Sequence, residues 1–247
     1  MREKLRKHLA GAPWLVSVLK AAYRQRVRVR RFLKPFWLYR LLRLKKPLSD
    51  CYGFDRGTPI DRYYIEGFLE QHRRLITGRC LEVLNANYIK KFGQNVSDYD
   101  ILDIDQSNKR ATVFDDLRRL TNIADNSYDC IILTQVLQFI DRTDDAVREL
   151  WRILKPGGTV LASVPAISRI DVRSGIEADF WRFAPAGVRF LFGNIFEADR
   201  VTITALGNCQ AGLGFWVGAS VEEFSKKQLD YRDPNFPCVI CIKATKK

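Results

Sequence analysis

The chain has 247 residues, 47% of them apolar and 12% aromatic, enough to bury a core and build a folded body. Its formal net charge of +13 is unevenly placed. Residues 1–49 hold 15 Lys and Arg against the single acid Glu3, leaving 26 basic and 27 acidic residues in the remainder. The excess therefore belongs to one segment, and whole-chain charge gives no ground for reading the body as a nucleic-acid binder.

In chain order, the basic segment comes first and runs from Met1 to about Leu48. Its longest apolar stretch, residues 9–19, is about half of the ~20 residues that span a bilayer. Lys20 follows that stretch, then Arg24, Arg26, Arg28, Arg30 and Arg31, and positive charge in this position opposes export. Basic residues interleaved with Trp14, Phe32, Phe36, Trp37 and Tyr39 suit a helical segment lying at an anionic membrane surface, broken at Pro13 and Pro35. A solvated arm, or one docked on a protein partner, is the alternative. The segment is thus a first domain, 1–49, followed by a body, 50–247.

A linker rich in Gly, Pro and Asp, residues 46–59, leads into the body. Tyr64, Ile65, Phe68 and Leu69 predict a helix from near Asp61, with Asp61 as its cap. Apolar runs at 80–84, 101–104, 111–114, 129–133 and 159–164 predict strands, with a helix at about 143–154 closed by Lys155-Pro156-Gly157-Gly158. Strands alternating with helices predict a mostly parallel sheet with right-handed crossovers. Beyond these, helix is expected at 185–196 and 215–224, and strand at 201–206 and 238–244. The six cysteines are scattered and read as buried free thiols; Cys238 and Cys241 should face opposite sides of a strand, which argues against a metal pair.

The run Ser127-Tyr128-Asp129-Cys130-Ile131-Ile132-Leu133, continued through Thr134 and Gln135 to Ile140, is followed by Leu154-Lys155-Pro156-Gly157-Gly158-Thr159-Val160. This pairing resembles the class I S-adenosylmethionine (SAM)-dependent methyltransferases over roughly residues 50–247. The resemblance implies a Rossmann-like, doubly wound, mostly parallel α/β sheet of seven strands with helices on both faces, and SAM as cofactor. It places the cofactor at the carboxyl ends of the strands. Glu82 matches the acid of the first loop, where Leu84 stands in place of the first glycine and Asn85 and Asn87 are the residues able to adopt positive φ. Asp105 is the better candidate for the ribose hydroxyls, with Asp103 one pleat earlier on the same face. Asp116, beside Leu117, is favoured over Asp115 for the adenine, and Thr134 and Gln135 border the methionine end.

Methyl transfer from a sulfonium depends mainly on positioning, and a hydroxyl acceptor gains from a general base. Asp171 or Asp179 is expected to supply that base, while His8 and His72 fall where no base is needed. Trp181 and Arg182 suit a sugar or other polar ring, and residues 55–64, including Arg56, form a second candidate lid. Both stretches look like those of bacterial methyltransferase-like proteins found with glycosyltransferases of surface-glycan synthesis. That likeness implies O-methylation of a glycan or other small polar acceptor and a glycosyltransferase partner, while the free thiols and the basic segment give the expectation of a cytoplasmic protein held peripherally at the inner face of the plasma membrane. Two alternatives stand beside it: a degenerate methyltransferase fold acting as a membrane scaffold, supported by the missing glycines, and an RNA methyltransferase holding phosphates with its basic arm.

Overall fold

Six residues, Gly78–Val83, form β1, and its centre is buried on both faces, as expected of a strand inside a parallel sheet. The computed structural model describes residues 46–171 and 176–247, with positions 18, 21, 22 and 25 besides, so the expected breaks at Pro13 and Pro35 lie outside the described residues. Pro47–Lys247 forms one compact unit and Met1–Lys46 another. Around β1 the sheet adds β2 (Val96–Asp103), β3 (Val113–Phe114), β4 (Tyr128–Thr134), β5 (Leu154–Pro165), β6 (Val201–Leu206) and β7 (Val239–Thr245), in the order β3-β2-β1-β4-β5-β7-β6. The first five strands pair in parallel, and β7 runs antiparallel to both β5 and β6. This is the mixed, mostly parallel Rossmann-like sheet that the resemblance implies.

Apolar side chains on the two sheet faces recruit separate helix layers. On one face, α3 (Thr143–Ile153) buries Val147, Leu150 and Ile153, and α4 (Pro185–Phe196) buries Val188, Phe192 and Phe196. On the other, α1 (Ile60–Gln71) contributes Ile65 and Leu69, α2 (Asn87–Phe92) contributes Ile89, and α5 (Cys209–Val217) contributes Ala211 and Phe215. A short helix, α6 (Lys226–Asp230), adds Leu229 to that second layer. Strand order reverses between β1 and β4, so their carboxyl ends form the crevice where open α/β sheets bind ligands.

The Pro-Gly-Gly stretch opens β5 instead of forming a free turn. Pairing with β4 shifts register there, with Tyr128 opposite Leu154 and Cys130 already opposite Thr159. Gly157 takes φ +79°, and a Cβ on Gly158 would come within 2.9 Å of the Lys155 carbonyl oxygen and 3.1 Å of that of Tyr128.

Several expectations need correction. Helix at 215–224 is wrong in position: α5 spans Cys209–Val217 and ends because Gly218 adopts the left-handed conformation, φ +76°. Asp61 is not a cap, since α1 starts at Ile60 after Pro59 and Asp61 lies inside its first turn. Strand at 111–114 shrinks to two residues. Cys238 and Cys241 sit in the same core layer, because Cys238 precedes the strand and escapes its alternation. Among the described residues no helix is long and apolar enough to cross a membrane.

Candidate functional site

Loops at the carboxyl ends of β1 to β4, with residues from the lead-in to α1, enclose a cavity of about 550 Å³. The first loop builds its turn without glycine. Glu82 is buried at the end of β1 and accepts from Tyr88 N (3.1 Å) and Ile89 N (2.9 Å), anchoring the first turn of α2. Burial pushes its carboxyl up to about 7, against the opposing pull of those two N–H groups. Leu84 carries the turn itself, at φ +71°, and its side chain is 54% exposed along the cavity wall. Its N–H donates to Leu102 O (2.9 Å), and its carbonyl accepts from Asn108 Nδ2 (2.9 Å). The expected positive φ at Asn85 or Asn87 is absent: the Asn85 side chain instead accepts from Asn87 N at the start of α2.

At the second strand end, Asp105 turns away. Its carboxylate accepts from Ser107 N (2.8 Å) and Ser107 Oγ (2.9 Å), hydrogen bonds that hold it below the usual carboxylate range, and it does not line the cavity. Asp103 does line it, buried, with its carboxylate accepting from Asp105 N (3.0 Å) and Asn108 Nδ2 (2.7 Å). Of the two acids expected here, Asp103 lines the cavity and Asp105 does not, because the chain after β2 closes a tight turn on the Asp105 side chain.

Past β3, Asp116 and Leu117 line the cavity. Asp116 is held by Arg118 through both carboxylate oxygens, at 2.6 Å to Nη2 and 3.1 Å to Nε, and these bonds lower its pKa. Arg118 also reaches Asp141 at 2.9 Å. Thr134 and Gln135 follow β4 and border the same cavity, Gln135 at φ +55°. Two buried amide atoms here, Gln135 Nε2 and Gln138 Oε1, have no hydrogen-bond partner among the described residues. Buried polar atoms of that kind are costly unless a ligand or an ordered water completes them.

At the far end, Asp171 and Asp179 line the cavity. Asp179 is clamped by Arg182, Nη1 to Oδ1 at 2.6 Å and Nη2 to Oδ2 at 2.9 Å, and it also accepts from Asp171 N (2.9 Å). Burial raises its pKa, but the Arg182 bonds outweigh that and leave it lowered, which makes Asp179 a weak base. Arg182 is spent on this clamp and on the carbonyls of Ser168 and Arg169, and Trp181 Nε1 donates to Ile140 O (2.8 Å). Neither lines the cavity, and Arg56 pairs with Glu223 at 2.5 Å instead. These three expected substrate contacts are thus engaged in holding loops together.

Sequence reasoning did not single out Tyr52 or Gln138, and it placed Asp61 as a cap and Arg62 only within the candidate lid; all four line the cavity. Asp61 is only 8% exposed, and its Oδ1 has no hydrogen-bond partner among the described residues. Burial raises its pKa, opposed by neighbouring Arg62, which itself donates to the Tyr88 hydroxyl. The available signal was an acid set beside the apolar face of a helix, where a cap was the simpler reading.

Residues 76–162 match a family described as a methyltransferase domain. No curated protein matches the sequence. Among solved structures, a SAM-dependent methyltransferase from Archaeoglobus fulgidus is similar at 15% identity and a TM-score of 0.50, over 75% of this chain and 94% of that one. A putative methyltransferase in complex with the Haloferax volcanii Trm112 activator aligns at 14% identity and TM-score 0.49, over 76% and 92%. Phosphoethanolamine N-methyltransferase 2 from Haemonchus contortus, in complex with S-adenosyl-L-methionine, aligns at 14% and 0.48, over 74% and 52%. At these identities the structural likeness concerns the fold.

Proposed function

We propose that this chain, whose residues 76–162 match a methyltransferase domain, is a class I SAM-dependent methyltransferase that binds SAM in the cavity and methylates a hydroxyl of a sugar or other small polar acceptor. The observation that carries this reading is one cavity at the strand-order reversal, lined by Asp103 and Asp116 and by buried polar atoms that lack partners. Bound SAM supplies an electrophilic methyl group on a sulfonium. Asp103 is the carboxylate for the ribose hydroxyls and Asp116 the acceptor for the adenine amino group. Among the described residues Arg62 and Arg118 line the cavity, and Arg118 is committed to Asp116 and Asp141, so Arg62 is the cation for the methionine carboxylate. Gln135 and Gln138 offer an amide N–H and an amide oxygen at the β4 end.

On the acceptor side, Asp61 has a vacant oxygen and a raised proton affinity, both suited to receiving the hydroxyl proton at Oδ1, with Asp171 as the alternative base. Surface-glycan synthesis at the membrane, beside a glycosyltransferase, remains the biological setting that the sequence suggests. The basic segment supports membrane proximity through its charge. A second reading, a non-catalytic scaffold, draws on Leu84, whose side chain occupies cavity wall that a glycine would leave open.

Calorimetric titration of SAM and of its demethylated product into the full chain decides between them. Binding is expected with both, and Asp103→Ala should weaken it about 10- to 100-fold, the worth of charge-assisted hydrogen bonds to two hydroxyls. No heat with either ligand at millimolar concentration removes the enzyme and keeps the fold.

A further inference from the structure

Apolar side chains gather, exposed, where the basic segment joins the body. Leu213 and Trp216 stand three residues apart on α5, hence on one face, and are 39% and 53% exposed, while Ala211 and Phe215 of the same helix are buried in the core. Leu48 N donates to Val217 O (2.7 Å), which brings exposed Leu48 to the end of that helix. The next turn follows it closely: a Cβ on Gly53 would lie 2.8 Å from the Ala219 carbonyl oxygen and 3.1 Å from that of Gly218, so exposed Phe54 belongs to the same region. Ser49 Oγ holds this lead-in by accepting from Gly53 N (3.0 Å) and Cys51 N (3.1 Å). The backbone at Leu48 and beside Phe54 thus meets the carboxyl end of α5, the helix that exposes Leu213 and Trp216.

We infer that this surface, formed by Leu48, Phe54, Leu213 and Trp216, seats the body on an anionic lipid bilayer. The inference rests on the membrane reading of the basic segment and extends it to the folded body. What precedes the patch selects the occupant: residues 1–46 carry 15 basic residues and one acid, and they lead directly into Leu48. An anionic bilayer offers both an apolar interior for the patch and negative headgroups for the cations, and such paired signals are what make peripheral attachment stable. A second copy of the chain, which also carries a formal net charge of +13, offers like charge where an anionic bilayer offers opposite charge. Phe54 also lines the cavity, so a body seated in this way presents its acceptor site to the lipid surface.

The test is flotation of the full chain with phosphatidylglycerol–phosphatidylcholine vesicles. Leu213→Ser with Trp216→Ser should require about tenfold more lipid for half-binding, because interfacial affinity scales with buried apolar area. Phe190→Ser, an exposed phenylalanine on α4, should behave as wild type. Quenching by lipids brominated in their acyl chains gives a measurement independent of that double variant's folding. Wild-type tryptophan emission should be quenched, and Trp216→Phe should remove part of the quenching. Replacing Arg26, Arg28, Arg30 and Arg31 with Gln tests the basic segment separately. Loss of flotation in that variant, with undiminished binding and quenching in the patch variants, overturns the inference and keeps the segment reading. A wild type that does not float removes both. A dimer seen by light scattering and abolished by the double variant also overturns the inference, in favour of self-association.

Discussion

Leu84 does a glycine's work without a glycine's freedom. A side chain at positive φ costs roughly 1–2 kcal/mol, against about 0.5–1 kcal/mol for the extra backbone entropy that glycine loses on folding. Since the Leu84 side chain is more than half exposed, little packing is lost with it. Leu84→Gly should therefore stabilise the body by about 0.5–1 kcal/mol, read as a rise of roughly 1–4 °C in melting temperature. An unchanged or lower melting temperature would show that Leu84 packs more usefully than its exposure indicates.

Glu82 makes a second residue-scale prediction, through pH. Its folded pKa of about 7 lies above the ordinary 4.5, so the folded state binds the proton more tightly than the unfolded chain. The contribution is fully present below about pH 4.5 and is lost as pH rises to about 7, a swing on the order of 2–3 kcal/mol. Glu82→Gln should flatten this fall when urea unfolding is compared at about pH 5 and about pH 8. An equal slope in both proteins would assign the pH dependence to other groups.

At the scale of elements, the loop after β5 is held by a pair, not by a surface. Asp179 has 1% of its side chain exposed and Arg182 23%, and removing one partner of a buried pair costs about 3–5 kcal/mol. Arg182→Ala should lower stability by about 3 kcal/mol, with Arg182→Lys intermediate because a lysine cannot reproduce the fork. A variant that melts like wild type would return Arg182 to the acceptor. The end of α5 depends on backbone in a comparable way. Gly218 sits at φ +76° with the Ser49 carbonyl oxygen 2.7 Å from where a Cβ would stand. Gly218→Ala should cost about 1–3 kcal/mol by combining left-handed strain with a clash against backbone.

For the whole molecule, ligand and stability are coupled. A ligand that binds only the folded state at 100 times its Kd stabilises by about 2.7 kcal/mol. The demethylated product should therefore raise the melting temperature by several degrees, and Asp103→Ala should need proportionally more ligand for the same shift. A shift of equal size at equal ligand in both proteins would place the nucleoside elsewhere than Asp103.

The sequence by itself determined most of the alternating elements and, by resemblance, the mostly parallel Rossmann-like sheet. Those follow from apolar periodicity and from the 127–160 motif, which are local and survive without knowledge of contacts. It also determined where the charge lies, which needs only counting. Only the tertiary structure decided which acid lines the cavity. Asp103 and Asp105 are equivalent by strand alternation, and the turn that consumes Asp105 is made by Ser107 hydrogen bonds that alternation does not encode. Likewise Arg182 and Asp179 looked like two functional groups until their 2.6 Å contact made them one structural pair. Asp61 became a cavity-lining residue only when α1 was laid against the cavity, because burial, and with it the cost of a carboxylate oxygen without a partner among the described residues, is a property of the assembled layers.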